Sequence, residues 1–416
     1  MTTALGRDAD LVAAANDVVT GLERSAVEDE SGVTWHAGVL VDVRDDVPVL
    51  ETGDVGPVLY DGTAGIALVL AAAGRADVAL AAARNALAGG ARLLGQGRLG
   101  LFDGAAGIAV AAVRTARLVD NAALLRQAAA LAQQVAEAAS DVGGEPDLIG
   151  GFAGTTLALL DLADLLDDPG IAVRADTLGR RLAATAQEQT WGAAWPSPDA
   201  PPLLGLGHGA AGMTLALAEV AARTGDPHVV RALEAGLRYE RGWYDPDRVG
   251  WPDLRGTGPT GLTGPGAGSM TAWCHGALGI GLARLRLYAL TGDGLALVEA
   301  SASLQAARNL VVGAGTSLRA GSPADCTPCH GLAAVAELLL TAAHALDVPE
   351  HARAAGRVAA LLLEQRRAAD SWPCGLTGAG EVPGLMTGTA GIALTLLRVA
   401  GAVQLPTPLL PGPCRW

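Results

Sequence analysis

The sequence predicts an all-α fold in which seven helical hairpins form a closed ring. A Gly-x-x-Gly motif recurs along the chain, and each copy opens a run rich in Ala, Leu and Val that lacks proline. Half of the 416 residues are hydrophobic but only 3% are aromatic, so the interior must be packed from small and aliphatic side chains. Helices with small residues on their surfaces can approach one another closely.

The repeats differ in length but share one pattern. Their first glycines are separated by 42, 47, 58, 67, 55 and 57 residues, and the sixth copy has alanine in place of its second glycine. The first glycines are Gly62, Gly104, Gly151, Gly209, Gly276, Gly331 and Gly388. The run after each motif, such as 213–223, is apolar on nearly all sides, which is typical of a buried helix. A second, amphipathic run such as 122–139 follows, so each repeat contains two helices.

The same pattern sets the domain boundaries. The repeats occupy residues 58–404, residues 1–57 form an N-terminal segment of unclear role, and residues 405–416 form a Pro-rich tail. An open stack of repeats needs a polar cap at each end, and neither end of this chain has one, which favours a ring. Insertions rich in proline or glycine, at 191–206 and 239–270, are long loops of the kind that is often functional.

The composition excludes several classes of protein. The formal net charge is −14 and all 29 basic residues are arginine, so the surface repels phosphate and nucleic-acid binding is disfavoured. No apolar run reaches roughly 18 residues, the length that a membrane-spanning helix needs. The first ten residues lack the pattern of a secretory signal, so we expect a cytoplasmic protein. In that compartment cysteines are more often ligands or nucleophiles than disulfide partners.

Side chains able to do chemistry lie in the turns that precede the glycine motifs. If the seven buried helices run parallel, these turns meet at one rim of the ring, where helix N-termini favour anions and thiolates. The turns contain Tyr60, Asp61, Asp103, Asp147, His208, Cys274, His275, Cys329 and His330. We interpret Asp61 and Asp103 as helix caps. The rim is the predicted place of the functional site.

Cys274, Cys329 and His330 are candidate zinc ligands. Two thiolates and one imidazole are donors that Zn²⁺ prefers, and three protein ligands leave a position open for catalysis. Alternatively, the two cysteines are buried small apolar residues. Cys326 forms a Cys-x-x-Cys sequence with Cys329, and as a fourth ligand it would close the site and make the metal structural.

His208 and Asp147 are candidates for proton transfer. A histidine can donate or accept a proton near pH 7, whereas the alternative for His208 is a hydrogen bond to a loop carbonyl. Asp147 lies four residues before Gly151. It either orients the His208 ring or caps the helix that follows.

Five longer motifs occur along the chain from residue 59 onward. The most specific are Trp-Cys-His-Gly at 273–276 and, 55 residues later, Cys-His-Gly at 329–331. The others are Leu-Tyr-Asp-Gly-Thr-Ala-Gly-Ile at 59–66, Gly-Leu-Gly-His-Gly at 205–209 and Pro-Gly-Leu-Met-Thr-Gly at 383–388. On these motifs and their order, the chain resembles the lanthionine synthetase C-like family, the lanthipeptide cyclases.

The resemblance implies an α/α toroid, a double-layer barrel of seven helical hairpins, with Zn²⁺ held by Cys274, Cys329 and His330. The implied reaction is a Michael-type addition of a peptide Cys thiolate to dehydroalanine or dehydrobutyrine. It forms lanthionine or methyllanthionine rings in a ribosomal precursor peptide.

The resemblance also assigns proton-transfer roles. It maps His208 and Asp147 onto the acid/base pair of the family. His275 departs from the family pattern, since some members have tyrosine there, and it adds a second candidate proton carrier. The family often has arginine where this chain has Met270. Either Arg255 supplies that charge or the proton transfer is arranged differently.

The implied substrate is a dehydrated precursor peptide. Only 57 residues precede the repeats, too few for a kinase, lyase or tRNA-dependent dehydratase, so we expect a separate dehydratase as partner. Two alternatives remain, the addition of glutathione to dehydroamino acids in proteins and a non-catalytic peptide-binding scaffold. A prenyltransferase-like toroid is disfavoured because 14 aromatic residues are too few to line a lipid funnel.

Overall fold

The computed structural model describes residues 2–44, 47–139, 144–196, 202–255, 269–375 and 380–413, so parts of both predicted insertions (197–201 and 256–268) lie outside it. Within these ranges the chain forms fourteen helices and three two-stranded antiparallel sheets. The helices are α1 (Thr2–Arg24), α2 (Thr63–Ala72), α3 (Ala76–Gly95), α4 (Ala105–Leu118), α5 (Ala122–Ala138), α6 (Phe152–Leu166), α7 (Pro169–Ala184), α8 (Ala210–Thr224), α9 (Pro227–Gly242), α10 (Ala277–Thr291), α11 (Gly294–Arg319), α12 (Leu332–Leu346), α13 (Pro349–Ala369) and α14 (Thr389–Val399). The paired strands are β1 (Val27–Asp29) with β2 (Gly32–Thr34), β3 (His36–Arg44) with β4 (Val47–Asp54), and β5 (Gln187–Gln189) with β6 (Gly192–Ala194).

The helices form two concentric layers. The seven helices that begin at the glycine motifs, from α2 through every second helix to α14, form the inner layer and are buried on nearly every side. Each contacts the inner helix before and after it, and α14 also contacts α2, so the layer closes on itself. The helix that follows each inner helix, from α3 to α13, packs on it from outside. The predicted all-α double-layer toroid is thereby confirmed. None of the described helices is both long and apolar enough to cross a bilayer.

The second glycine of the motif lets each turn lie against its own helix. At six of the seven motifs, a Cβ on this glycine would lie 1.6–2.4 Å from the carbonyl oxygen six residues earlier. The closest case is Gly107, where a Cβ would meet the carbonyl oxygen of Leu101 at 1.6 Å. At these six motifs a side chain cannot occupy that space unless the turn shifts; the sixth motif has Ala334 instead.

The two ends of the chain form the seventh helical pair. Helix α1 packs against α14 and α13. After α1 the chain makes the hairpin β1–β2, and the indole of Trp35 donates to the Leu22 carbonyl at 2.9 Å. After α7 it makes β5–β6, and the indole of Trp195 donates to the Leu182 carbonyl at 2.9 Å. The start of the chain therefore supplies the seventh outer helix, with the same hairpin and tryptophan contact that follow α7.

Backbone hydrogen bonds join the seven turns before the inner helices into a circle. Each bond links an amide to the carbonyl of a neighbouring turn over 2.8–3.0 Å. The bonds run from Tyr60 to Phe102, Phe102 to Ile149, Leu148 to Gly207, Gly207 to Cys274, Trp273 to Cys329, Cys329 to Met386, and Met386 back to Tyr60. These turns therefore share one rim, and the last bond closes the ring between the seventh and first repeats.

The interpretation of Asp61 and Asp103 as helix caps is wrong. Helices α2 and α4 have glycine N-caps without a side-chain hydrogen bond. Asp61 instead accepts hydrogen bonds from the amides of Met386 (3.1 Å) and Thr387 (2.8 Å) and from the Thr387 hydroxyl. Asp103 lies 3.5 Å from the guanidinium of Arg98. Because the first turn is bonded to the seventh, the Asp61 side chain faces that turn and not the start of its own helix.

Replacing Asp61 with alanine should destabilise the fold. The amide and hydroxyl of Thr387 lose their acceptor, which costs about 2–3 kcal/mol of unfolding free energy. Urea denaturation measures this cost. The control is Asp17→Ala on the exposed face of α1, which should change the free energy by less than about 0.5 kcal/mol. Equal free energies of unfolding for the two variants would show that the hydrogen bonds of Asp61 do not stabilise the contact between the first and seventh turns.

Candidate active site

The structure brings the three candidate metal ligands together at the rim. Cys274 lies in the turn before α10, and Cys329 and His330 lie in the turn before α12. The Cys329 thiol donates a hydrogen bond to the Cys274 sulfur. This bond, aided by the charges of His330 and Arg255 and opposed by burial, lowers the pKa of Cys274 to about 7, and it raises the pKa of Cys329. Cys274 is therefore the sulfur that ionises first.

Tyr60 also contacts this pair. Its hydroxyl donates to the Cys329 sulfur at 2.9 Å, so a hydrogen-bond chain runs from Tyr60 through Cys329 to Cys274. Burial raises the pKa of the Tyr60 phenol, which keeps it protonated as a donor. Sequence reasoning gave Tyr60 no role, although a signal exists: Tyr60, Cys274 and Cys329 each lie two places before the first glycine of a motif.

Asp325 holds the imidazole of His330. Its Oδ2 lies 3.1 Å from Nδ1 of His330, and Oγ1 of Thr327 lies 3.2 Å from the same nitrogen. The carboxylate raises the pKa of His330. A carboxylate on one ring nitrogen orients the other nitrogen toward a metal in many metal-binding histidines. Sequence reasoning did not single out Asp325, which precedes His330 by five residues in the same turn.

The chemistry of this donor set suits zinc. Two thiols and one carboxylate-supported imidazole are zinc donors in their deprotonated forms, although no group of three or more His, Cys, Asp or Glu side chains adopts metal-binding geometry within the described ranges. Cys326 has a different environment. Its buried thiol donates to the Ala324 carbonyl at 3.6 Å, and burial raises its pKa. These contacts do not favour Cys326 as a fourth ligand.

Asp147 contacts His208, one of the two alternatives that the sequence left open, but it does not cap α6, whose N-cap Gly151 has no side-chain hydrogen bond. Its Oδ1 accepts hydrogen bonds from the amides of Gly150 and Gly151, at 2.9 and 2.8 Å, in the turn before α6. Its Oδ2 lies 2.5 Å from Nδ1 of His208. The carboxylate raises the pKa of His208, and Nε2 is the ring nitrogen left for other partners. The His208 side chain is 45% exposed, so a substrate at the rim can reach it.

His275 lies beside His208 in a different electrostatic environment. The ring centroids are 5.8 Å apart and the ring planes meet at 27°. Burial, together with the positive charge of Arg255, lowers the pKa of His275 to about 4. Neighbouring groups whose pKa values are pushed apart are typical of acid/base sites. At neutral pH the pair therefore combines a neutral His275 with a more basic His208.

Arg255 reaches the residue that stands where the family often has arginine. Its Nη2 lies 3.0 Å from Sδ of Met270. Asp253 binds the same guanidinium through Nε at 3.0 Å and Nη2 at 2.7 Å. The arginine charge acts on Cys274 and Cys329. These contacts favour Arg255 as the source of positive charge at this part of the rim.

Comparison with known proteins identifies the family. The model of the family described as lanthionine synthetase C-like protein matches residues 53–410. The chain belongs to this family. Among solved structures, this lanthionine synthetase C-like chain is similar to one named nisin cyclase, with a TM-score of 0.56 and 18% sequence identity. The match covers 84% of this chain and 90% of that chain, and at this identity it shows a shared fold alone. No curated protein sequence matches the chain significantly.

Replacing Asp147 with asparagine should lower the pKa of His208. The carboxylate is the main cause of the raised value, so the pKa should fall toward the ordinary value of about 6.5 and less His208 should be protonated at pH 7. NMR titration of the imidazole signals measures this change. His344 is an internal control because its Nδ1 contacts the Leu340 carbonyl on α12. An unchanged His208 titration would contradict the pairing.

Proposed function

We propose that this lanthionine synthetase C-like protein is a zinc-dependent lanthipeptide cyclase. It would add Cys thiolates of a ribosomal precursor peptide to dehydroalanine or dehydrobutyrine in the same peptide, forming lanthionine and methyllanthionine rings. The observation that supports this best is the contact between Cys274 and Cys329, beside His330 and the His208–Asp147 pair on one rim. Membership of the family and the fold shared with nisin cyclase agree with it.

Cys274, Cys329 and His330 would hold one Zn²⁺. The chemistry that this ion supplies when bound is a lowered pKa of an incoming thiol, whose sulfur is presented as a thiolate. Tyr60 donates to the Cys329 sulfur and Asp325 binds His330. Partners of this kind fix the orientation and charge of metal ligands.

His208 is the proposed proton donor. Attack of the thiolate on the β-carbon forms the carbon–sulfur bond and moves the double-bond electrons into an enolate. The proton on Nε2 of His208 then passes to the α-carbon, while Asp147 remains on Nδ1 and stabilises the protonated ring before transfer. Because Asp147 raises the pKa of His208, this proton is available closer to neutral pH than it would be on an isolated histidine.

His275 is the proposed second proton carrier. Its imidazole is neutral and lies beside that of His208, so it can accept the proton lost by the substrate thiol. A water molecule would return this proton to His208, because stacked rings do not direct their N–H groups at each other. The thiol proton then ends on the α-carbon, and the protein returns to its starting protonation state. The low pKa of His275 makes it a transient carrier, since the proton rests more stably on His208.

The substrate would be a dehydrated precursor peptide that carries both reacting groups. Such a tether supplies much of the rate through proximity, so the main tasks of the protein are to ionise the sulfur and to deliver a proton to one face of the enolate. We propose a separate dehydratase as the source of the dehydro residues, because the addition proposed here consumes these residues and does not form them.

The purified chain should contain about one zinc ion per molecule. Metal analysis by mass spectrometry measures the ratio. Cys274→Ala should lose most of the metal because it removes a ligand. The matched control is Cys326→Ala, whose thiol contacts a backbone carbonyl, and it should keep the metal. A metal-free wild-type chain would favour the scaffold alternative, and loss of zinc from Cys326→Ala would indicate a closed, structural site.

His208→Ala should keep zinc but form rings about 10²–10⁴-fold more slowly, because the proton donor is gone. The assay uses a dehydrated, Cys-containing precursor peptide and counts the remaining thiols by alkylation and mass spectrometry. The control is His228→Ala, an exposed histidine on α9, which should react at the wild-type rate. Unchanged cyclisation by His208→Ala would remove His208 from the mechanism. Faster addition of glutathione than of the peptide thiol would support the glutathione alternative.

A further inference from the structure

Residues 405–413, here called the plug segment, run inside the ring. The segment follows α14 and so begins at the end of the ring opposite the rim. Its three leucines, at 405, 409 and 410, are at most 6% exposed. From there the segment reaches the underside of the rim turns, where it lines a small cavity together with Leu59, Leu101 and Phe102. The plug segment therefore occupies the lumen beneath the candidate site.

The composition of the plug segment suits this position. Four of its nine residues are proline, at 406, 408, 411 and 413. Proline has no backbone N–H, so these residues bring no donor that an apolar lumen would leave unpaired. Proline also restricts the unfolded segment, which lowers the conformational entropy lost when it docks.

Two of the hydrogen bonds that anchor the plug segment come from the fifth repeat. The indole Nε1 of Trp273 donates to the Leu409 carbonyl at 2.7 Å, and Trp273 is completely buried. Nη2 of Arg286 on α10 donates to the Pro413 carbonyl at 2.9 Å. Arg286 also pairs with Glu219 of α8, so the second anchor is itself held between two inner helices. The fifth repeat is the one that supplies Cys274.

Trp273 connects this anchor to the candidate site. It precedes Cys274 in the chain, and its amide donates to the Cys329 carbonyl at 2.8 Å. The rings of Trp273 and Phe102 pack in a T-shaped pair with their centroids 5.2 Å apart. The rings of Phe102 and Tyr60 form a second T-shaped pair with a centroid distance of 5.9 Å. A displacement of Trp273 would therefore change the positions of Cys274 and Cys329, and also that of Tyr60, which donates to the Cys329 sulfur.

We propose that the plug segment positions the Cys274 turn from inside the ring, through the hydrogen bond between the Leu409 carbonyl and the Trp273 indole. The fifth turn is held at the rim by the backbone bonds to its two neighbouring turns, and the bond from Trp273 to Leu409 adds a contact from inside the ring. Leu409 and Trp273 are thus positioning residues for the candidate site. The inference that this site binds a metal rests on the proposed function.

The first test is Trp273→Phe in the full chain. This change removes the indole N–H and keeps an aromatic ring. Competition with a zinc chelator should show roughly tenfold weaker zinc binding. The matched control is Trp195→Phe, which removes an equivalent buried bond, from an indole to the Leu182 carbonyl in the outer layer. A purely structural role would weaken thermal stability alike in both variants and leave zinc affinity equal.

The second test needs no metal. In the metal-free chain, iodoacetamide labelling followed by peptide mapping measures the reactivity of Cys274. Loss of one buried hydrogen bond should raise the labelling rate roughly fivefold in Trp273→Phe and leave it unchanged in Trp195→Phe. Leu409→Ala, which thins the plug segment without altering Trp273, should change the rate in the same direction.

The outcomes separate this inference from the proposed function. If Trp273→Phe and Trp195→Phe behave alike in both tests, the plug segment does not position the site. If the wild-type chain binds no zinc but Cys274 labelling still differs between the two variants, the zinc mechanism fails and the positioning role stands.

Discussion

The circle of backbone hydrogen bonds among the seven rim turns is the constraint on which the rest of this structure depends. One such bond contributes only about 1 kcal/mol, but the bond from Met386 back to Tyr60 means that every turn is held on both sides. Six of the seven turns fit closely against their helices because glycine stands at the second motif position, where a Cβ would strike the backbone. Asp61 reinforces the junction between the seventh and first repeats, where no covalent connection exists.

The electrostatics of the candidate site follow from this arrangement. The turns before the first glycines share one rim, so functional groups from neighbouring repeats can act on one another. Cys274 is acidic because Cys329, from the next repeat, donates to it. His208 is basic because Asp147, from the preceding repeat, holds its ring. No single hairpin contains all of these groups, so the candidate site is complete only when the ring is closed.

The success of sequence reasoning differed from element to element. The inner helices and the toroid were predictable because glycine spacing and apolar runs are local, repeated signals. The cap assignment of Asp61 failed for the opposite reason, since its partners Met386 and Thr387 belong to the far end of the chain. Tyr60 received no role because tyrosine has no metal-ligand pattern of its own. The approach of Arg255 to Met270 depends on the path of a loop, which spacing alone does not specify.

By itself, the sequence determined which segments form the inner layer and which side chains stand in the turns, because both depend on neighbours along the chain. Only the tertiary structure decided which turns touch, where α1 packs and how the Pro-rich tail enters the lumen. Those features depend on closure of the ring, which brings together residues as distant as Asp61 and Thr387, 326 positions apart. A contact over such a separation cannot be read from a repeating sequence pattern, because it occurs at one pair of residues and not in every repeat.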